Sequence, residues 1–482
     1  MDKLWRTIEG YSEDSIAIWA QSFHAALFHP YLVDDTDMPT LKAVHMEFPE
    51  TDEIDTIPAK KALGLRYSAT GEDISIVQYF DIRDAERAWK NPAGHCEKLS
   101  RKQVEYVVAP SFITKGSPLP IWWFQTYRSR LIGQWWQRQG LQVIPTVEWG
   151  NPDTFSIAFR GLPEHSVLAV AVNGWNSEMF LQDFQDGIDY IAEHLHPTGL
   201  LLFVSDSDRN CGGDLDENLI LEQVDFRTIP CKICKIGSRN VTIDDAQQTS
   251  WSMRLNNDLF NPWQTDDWDM PIMQPSEIEH KAMINMCGFN QALSSKGSMT
   301  EKICHFYIED YQFERCWTNM DMYVPVLSKF GAILTPDFSL YENFPLPLWW
   351  FQTYRNRLLG QHWQERGLKV IPCVNWGGPE TYDIVFRGLP EESVLSFSTI
   401  GWESAGKEVY QAGIDYMVNH LSPKQFLVYG RPLPWADYHG VEVIQAQNDN
   451  LASAKQRYEI IRLQRKKAEE LKYGRQLSLF EV

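Results

Sequence analysis

Positive charge is scarce in this chain: 44 Lys and Arg stand against 64 Asp and Glu in 482 residues, a formal net charge of −20. So acidic a surface excludes broad phosphate-tracking contact by the body of the protein, and any approach to nucleic acid has to be local. An apolar leader is also missing. Met1-Asp2-Lys3-Leu4-Trp5-Arg6 runs on into acids, and the longest apolar runs, such as Val167–Val172, have strand length and cannot span a bilayer. A cytoplasmic protein with no membrane partner is expected. The eight Cys follow no regular spacing, which argues for reduced thiols rather than a disulfide scaffold. Phosphate loop, GxSxG elbow, dinucleotide glycine fingerprint and HExxH helix are all lacking, so the common nucleotide-hydrolase, α/β-hydrolase, Rossmann and zincin readings fall away.

Aromatic residues are plentiful: 19 Trp and 24 Phe, within 44% hydrophobic content, give core enough for two or three domains. They also reveal an internal duplication. Residues 118–136, beginning Pro118-Leu119-Pro120-Ile121-Trp122-Trp123-Phe124, match residues 345–363 at 15 of 19 positions. Arg160-Gly161-Leu162-Pro163-Glu164 returns at the same offset of 227 as Arg387-Gly388-Leu389-Pro390-Glu391, and Asp37-Met38-Pro39 returns at an offset of 232 as Asp269-Met270-Pro271. A period this long is a duplicated domain, not a solenoid. The expected organisation is a lead-in over 1–18, a first copy over 19–235, a linker over 236–250, a second copy over 251–447 and a tail over 448–482.

Within each copy short β-branched runs alternate with helical stretches. In the second, strands are expected at Ile303–Ile308, Ala332–Thr335, Lys369–Val374, Ser393–Ser398, Gln425–Tyr429 and Val441–Ile444. Helices are expected at Phe313–Phe330 and at Pro347–Arg366, the latter closed by Gly367. Buried strands joined by helices imply a mainly parallel sheet. The fold class is therefore α/β in two related copies, barrel-like or, second, doubly wound, with a helical tail.

Four segments of the second copy carry a family resemblance. Ile308-Glu309-Asp310-Tyr311-Gln312-Phe313-Glu314-Arg315, Thr335-Pro336-Asp337-Phe338-Ser339-Leu340-Tyr341, Tyr354-Arg355-Asn356-Arg357 and Val370-Ile371-Pro372-Cys373-Val374-Asn375-Trp376 resemble the signature blocks of domain of unknown function 4417. That family occurs in bacteria, phages and other mobile elements. The resemblance covers most of the second copy and, more weakly, the first; it implies a phage or mobile-element context and brings no activity with it. In the first copy the Asp310 position falls on Ile82 or its neighbour Asp81, Asp337 becomes Ser111, and Tyr341 has no clear counterpart, so that copy is expected to be degenerate.

Ligands meet parallel α/β architectures at the carboxyl ends of strands. There the second copy carries Glu309 and Asp310, Asp337 and Ser339, Asn375 and Thr399. Asp310, Asp337 and Asn375 are the candidate catalytic set. The carboxylates either hold Mg²⁺ or Mn²⁺ or act as general base, or else they are helix caps and turn acids. No dedicated metal site is indicated. Arg355 and Arg357, on the duplicated tryptophan helix, suit base stacking and phosphate grip, with a structural ion pair as the alternative for at least one. One Trp of each doublet is expected in the core. Cys231-Lys232-Ile233-Cys234 lacks a second pair and reads as buried free thiols, and His194 with His196 as a surface or capping pair.

The segment Gln476-Leu477-Ser478-Leu479-Phe480-Glu481-Val482 resembles the short peptide with which bacterial proteins hold the replicative DNA sliding clamp. Leu477, Leu479 and Phe480 suit an apolar groove, and the Gln476 amide a directional hydrogen bond. From Asn448 to Val482 eight Lys or Arg face five Asp or Glu, and Leu451–Tyr473 has no Pro or Gly, which predicts a solvated basic helix stopped by Gly474. The resemblance implies the sliding clamp as partner, with clamp-threaded DNA as a possible contact of the basic helix; packing on its own domain is the alternative. Three functions are then open: clamp recruitment in DNA replication, modification or control of the host replisome; an enzyme acting on nucleotide or DNA through the second copy's carboxylates; or a noncatalytic clamp inhibitor.

Overall fold

Parallel pairing organises both copies. The computed structural model describes residues 23–24, 27–51, 53–64, 75–112, 116–172, 181–205, 223–236, 255–279, 283–295, 297–340, 344–400, 402 and 406–448. The first copy contains β1 (Glu53–Pro58), β2 (Ile76–Gln78), β3 (Tyr106–Val108), β4 (Gln142–Ile144), β5 (Thr146–Val147), β6 (Val167–Ala171), β7 (Gly199–Ser205) and β8 (Cys231–Ile236). The second contains β9 (Met283–Gly288), β10 (Met299–His305), β11 (Phe330–Leu334), β12 (Val370–Ile371), β13 (Val394–Ser398), β14 (Gln425–Tyr429) and β15 (Glu442–Asn448). Neighbours along the chain are neighbours in the sheet, and the last strand returns to the first, β8 on β1 and β15 on β9.

The rings close at a duplicated proline. β4 and β5 are one extended run that pairs with β3 before Pro145 and with β6 after it. In the second copy Ile371 pairs with β11, while Cys373, past Pro372, bridges to Ser396 of β13. Proline has no N–H for a ladder and sits where the strand changes neighbour; its carbonyl still accepts, from Ala169 N–H and Ser396 N–H respectively, at 2.9 Å in both copies. Each copy is thus a parallel α/β barrel with one strand fewer than the familiar eight.

Some elements differ from expectation. β9, Met-Ile-Asn-Met-Cys-Gly, has too little β-branching to stand out. The stretch Phe313–Phe330 is two helices, Asp310–Thr318 and Val324–Leu327. Asn319 ends the first, its side chain accepting from Met322 N–H at 3.2 Å, and Pro325 sits in the first turn of the second. The Cys231 and Cys234 thiols lie on β8, half-buried and buried, and burial pushes them up to about 11 and 12. Among the described residues no helix is long and apolar enough to cross a membrane.

The two long helices, Leu119–Arg138 and Leu346–Glu365, hold the copies together. Each lies between its own barrel and the other copy, so it is buried almost all round. Trp349 and Trp350 are 3% and 6% exposed, which corrects the expectation of one core Trp per doublet. Phe124 stacks on Phe351 at 4.0 Å between ring centroids, and Trp123 lies parallel to Trp350 at 6.5 Å. The helix N-caps, Pro118 and Pro345, have no side-chain acceptor. Each cap comes from the other copy: Asp269 Oδ2 accepts from Leu119 N–H at 3.1 Å, and Asp37 Oδ2 from Leu346 N–H at 3.3 Å. Such reciprocity is that of a two-fold dimer within one chain.

Candidate active site

In the second barrel the carboxyl ends of the strands are polar. Tyr307, just past β10, donates its hydroxyl to Ser396 Oγ at 2.8 Å, since Ser396 Oγ itself donates to Leu427 O at 2.9 Å. The Cys373 sulfur lies 3.3 Å from the Tyr307 hydroxyl and 3.4 Å from Asp337 Oδ1. Asn375 Nδ2 donates to the same Asp337 oxygen at 2.6 Å. The Tyr429 ring stacks on Tyr307 at 4.6 Å and meets His305 at 4.9 Å. A narrow cleft behind Asp337 is lined by Cys373, Asn375, Gln352, Thr353 and Asn356, and the Thr353 hydroxyl is buried without a protein partner.

Burial sets the protonation of these groups. It raises Asp337 to about 7, helped by the charge of Asp310 and opposed by the hydrogen bonds from Cys373 and Asn375. It pushes the Cys373 thiol and the Tyr307 phenol up, so neither is an anion at rest. It lowers His305 to about 3, and His305 Nδ1 accepts from Tyr307 N–H at 3.2 Å, which leaves a neutral ring with its proton on Nε2. Asp337 is thereby poised to exchange a proton near neutrality.

Asp310 stands differently. It opens the helix after β10, and its two oxygens accept from Ser339 N–H at 3.0 Å and from Ser339 Oγ at 2.8 Å. Burial lifts it to about 7 as well. It ties the helix start to the loop carrying Asp337, the turn-acid role, and with both oxygens so engaged the pair is ill suited to hold a divalent ion. Among the described residues no three His, Cys, Asp or Glu gather as metal donors. Glu309 takes the N-cap position without a side-chain capping bond, and Thr399 Oγ1 donates to Tyr429 O and so serves the backbone.

Nucleic-acid contact by Arg355 and Arg357 is corrected. Arg355 lies 3.8 Å over the Phe338 ring and pairs with Glu314 at 2.5 Å; Arg357 donates to the carbonyls of Val385 and Arg387. They are 1% and 2% exposed. Gln476, Leu477, Leu479 and Phe480, and the stretch before them where a basic helix is expected, lie outside the described residues.

The first barrel shows what the second has gained. By register and offset, Phe80 stands for Tyr307, Thr146 for Cys373, Ala169 for Ser396 and Phe203 for Tyr429. Phe80 and Phe203 still meet, tilted, at 4.5 Å, and below them both lumens are apolar: Ile76, Val108, Ile144, Val167 and Leu201 here, Ile303, Leu334, Ile371, Val394 and Leu427 in the second copy. The first copy's acid has moved one strand along: Ser111 replaces Asp337, Glu148 replaces Asn375, and Ser111 Oγ donates to Glu148 Oε1 at 2.6 Å. Reading the copies against each other for gained hydroxyl, thiol and imidazole groups would have found His305, Tyr307, Cys373, Ser396 and Tyr429, none of which the sequence reading singled out.

The indole of Trp376, the residue after Asn375, fits against Gly413. A Cβ there would lie 2.2 Å from Nε1, as one at Gly187 would lie 2.1 Å from Trp149 in the first copy. Gly413→Ala should therefore destabilise the fold by about 1–3 kcal/mol through overpacking, read as a lowered urea midpoint with unchanged slope; an unaltered midpoint would mean the indole moves freely.

The chain has relatives among phage proteins. The Gene 1 protein of Mycobacterium phage D29 is 35% identical over 129 residues, 26% of this chain and 48% of that protein. The Gene 1 protein of Mycobacterium phage L5 is 35% identical over 168 residues, 34% of this chain and 72% of that protein. This chain thus spans about half the length of the first. No solved structure matches. The family model described as domain of unknown function (DUF4417) matches residues 41–220 and again 264–447. One match falls on each barrel and together they take in most of the chain, which accordingly belongs to the DUF4417 family as a tandem pair.

Proposed function

We propose that this phage-related protein carries out acid–base chemistry on a nucleotide or DNA at the mouth of the second barrel, and that the Gln476–Val482 peptide brings it to the bacterial sliding clamp. The observation that carries the first half is the contrast between the mouths: where the first copy has Phe80, Ser111, Thr146 and Ala169, the second surrounds a protonatable Asp337 with Asn375, Cys373, Tyr307 and Ser396. Asp337 is the general acid or base, and Asn375 fixes the orientation of its carboxyl. The acidic body, at a net charge of −20, makes local recruitment the economical route to DNA. The Gln-Leu-x-Leu-Phe chemistry of residues 476–480 and the basic stretch before it support the clamp as that local site.

Binding of the full chain to purified sliding clamp, measured by calorimetry, tests recruitment. Leu479→Ala with Phe480→Ala should weaken it at least about 100-fold, as loss of two hot-spot anchors does. Equal binding by both proteins, or none by either, would sink recruitment through this peptide. Clamp-loaded DNA is then the substrate on which to compare the intact chain with Asp337→Asn. A chain that blocks the clamp unchanged by Asp337→Asn would be a noncatalytic inhibitor.

A further inference from the structure

We propose that the first copy is a positioning subunit for the second, with Asp37 as the residue through which it sets the Asp337 site. This rests on the reading of the second mouth as the functional one. The helix Leu346–Glu365 supplies the back wall of the cleft through Gln352, Thr353 and Asn356, and Asn356 Nδ2 donates to Pro336 O at 2.8 Å, directly before Asp337. That helix begins at Pro345, which offers no capping side chain, and its cap is Asp37 of the first copy. Its outer face is held by the first copy as well, through Phe124 on Phe351 and Trp123 against Trp350. An N-terminal carboxylate fixes the first turn of a helix and opposes its dipole. Asp37 therefore governs where the wall of the site stands.

The arrangement contains its own control. Asp269 caps the first copy's helix in the same way, at 3.1 Å, but the mouth that helix backs has Ser111 where the second has Asp337. Capping by the two aspartates is symmetric in structure and asymmetric in consequence.

The test uses the full chain with Asp37→Ala, Asp269→Ala and Asp37→Asn, and follows the Asp337 carboxyl by carbon NMR of labelled aspartate, assigned with Asp337→Asn. Both alanine variants should lower the melting temperature alike, within about two degrees, since the caps are equivalent. Only Asp37→Ala should move the Asp337 titration midpoint, by half a unit or more, while Asp37→Asn, whose amide oxygen still accepts, restores it. Equal midpoint shifts in the two alanine variants, or none in either, overturn the proposal. Should Asp37→Ala fail to fold, Asp37→Ser, too short to reach Leu346, takes its place with the same two outcomes. Because the readout is a titration and not turnover, the proposal can fail while the active-site reading stands, and the reverse.

Discussion

Arg128→Ala should be the most damaging single substitution in the first copy, costing about 3–5 kcal/mol, while its counterpart Arg355→Ala should cost about half as much. Arg128 and Glu86 are 0% and 4% exposed at the side chain, their charges 2.8 Å apart. The guanidinium lies 3.9 Å over Phe112 and 4.7 Å over Trp89, and donates to Gln125 Oε1 at 2.9 Å. Removing it leaves Glu86 as an unpaired buried charge and opens a void among the rings. In the second copy the same cage forms around Arg355, but Glu314 is 47% exposed, so water takes over when its partner goes. The double substitution Arg128→Met with Glu86→Leu should recover most of the loss, because an apolar pair needs no desolvation. Denaturant unfolding of the four proteins checks this. Equal costs for Arg128→Ala and Arg355→Ala would mean that burial of the carboxylate does not decide the effect.

These arginines also show how much the sequence disclosed. The duplication, the parallel α/β class and a barrel as first choice followed from the repeated Trp-Trp-Phe-Gln-Thr-Tyr-Arg segment and from apolar strands such as Val394–Ser398, because local patterning and repetition are written along the chain. Arg355 and Arg357, beside aromatic residues, gave the same pattern whether the rings lined a nucleic-acid surface or a core. Only the packing of the helix between two bodies decided it. Asp337 and Asn375 were legible from their place after strands. Tyr307, Cys373 and Ser396 are visible as differences from Phe80, Thr146 and Ala169, but that they form one cluster was not, because what joins them is the register of β10, β12 and β13 around a closed ring, fixed by long-range pairing. The split after Thr318 was missed for a similar reason: the carbonyl of Met320 takes the Trp363 indole N–H at 3.0 Å, a contact between residues 43 apart in the chain.

Asp337→Asn is expected to make the protein more stable at alkaline pH and, on the reading of the second mouth as a proton-transfer site, to reduce turnover by about 10²–10⁴-fold. The folded carboxyl titrates at about 7, whereas an unfolded aspartate titrates near 4. Between those values the fold holds a proton that the unfolded chain has released, so stability is full below about pH 4 and falls as pH rises through 7. Asparagine keeps the bond from Asn375 and has no proton to lose. Roughly 3 units of displacement would set a ceiling near 4 kcal/mol; partial exposure of Asp337 and shared titration with Asp310 reduce the expected gain at pH 8.5 to about 1–2 kcal/mol, or about 2–6 °C in melting temperature. Near pH 4 the two proteins should melt together. Parallel melting curves from pH 4 to 8.5 would show instead that Asp337 ionises as an ordinary surface acid, and the case for its role in proton transfer would go with them. A diverging pair carries the opposite inference. A side chain whose replacement steadies the fold has no folding reason to occupy that place, and the remaining reason is the chemistry that a carboxyl, and not an amide, can do at the mouth of the barrel.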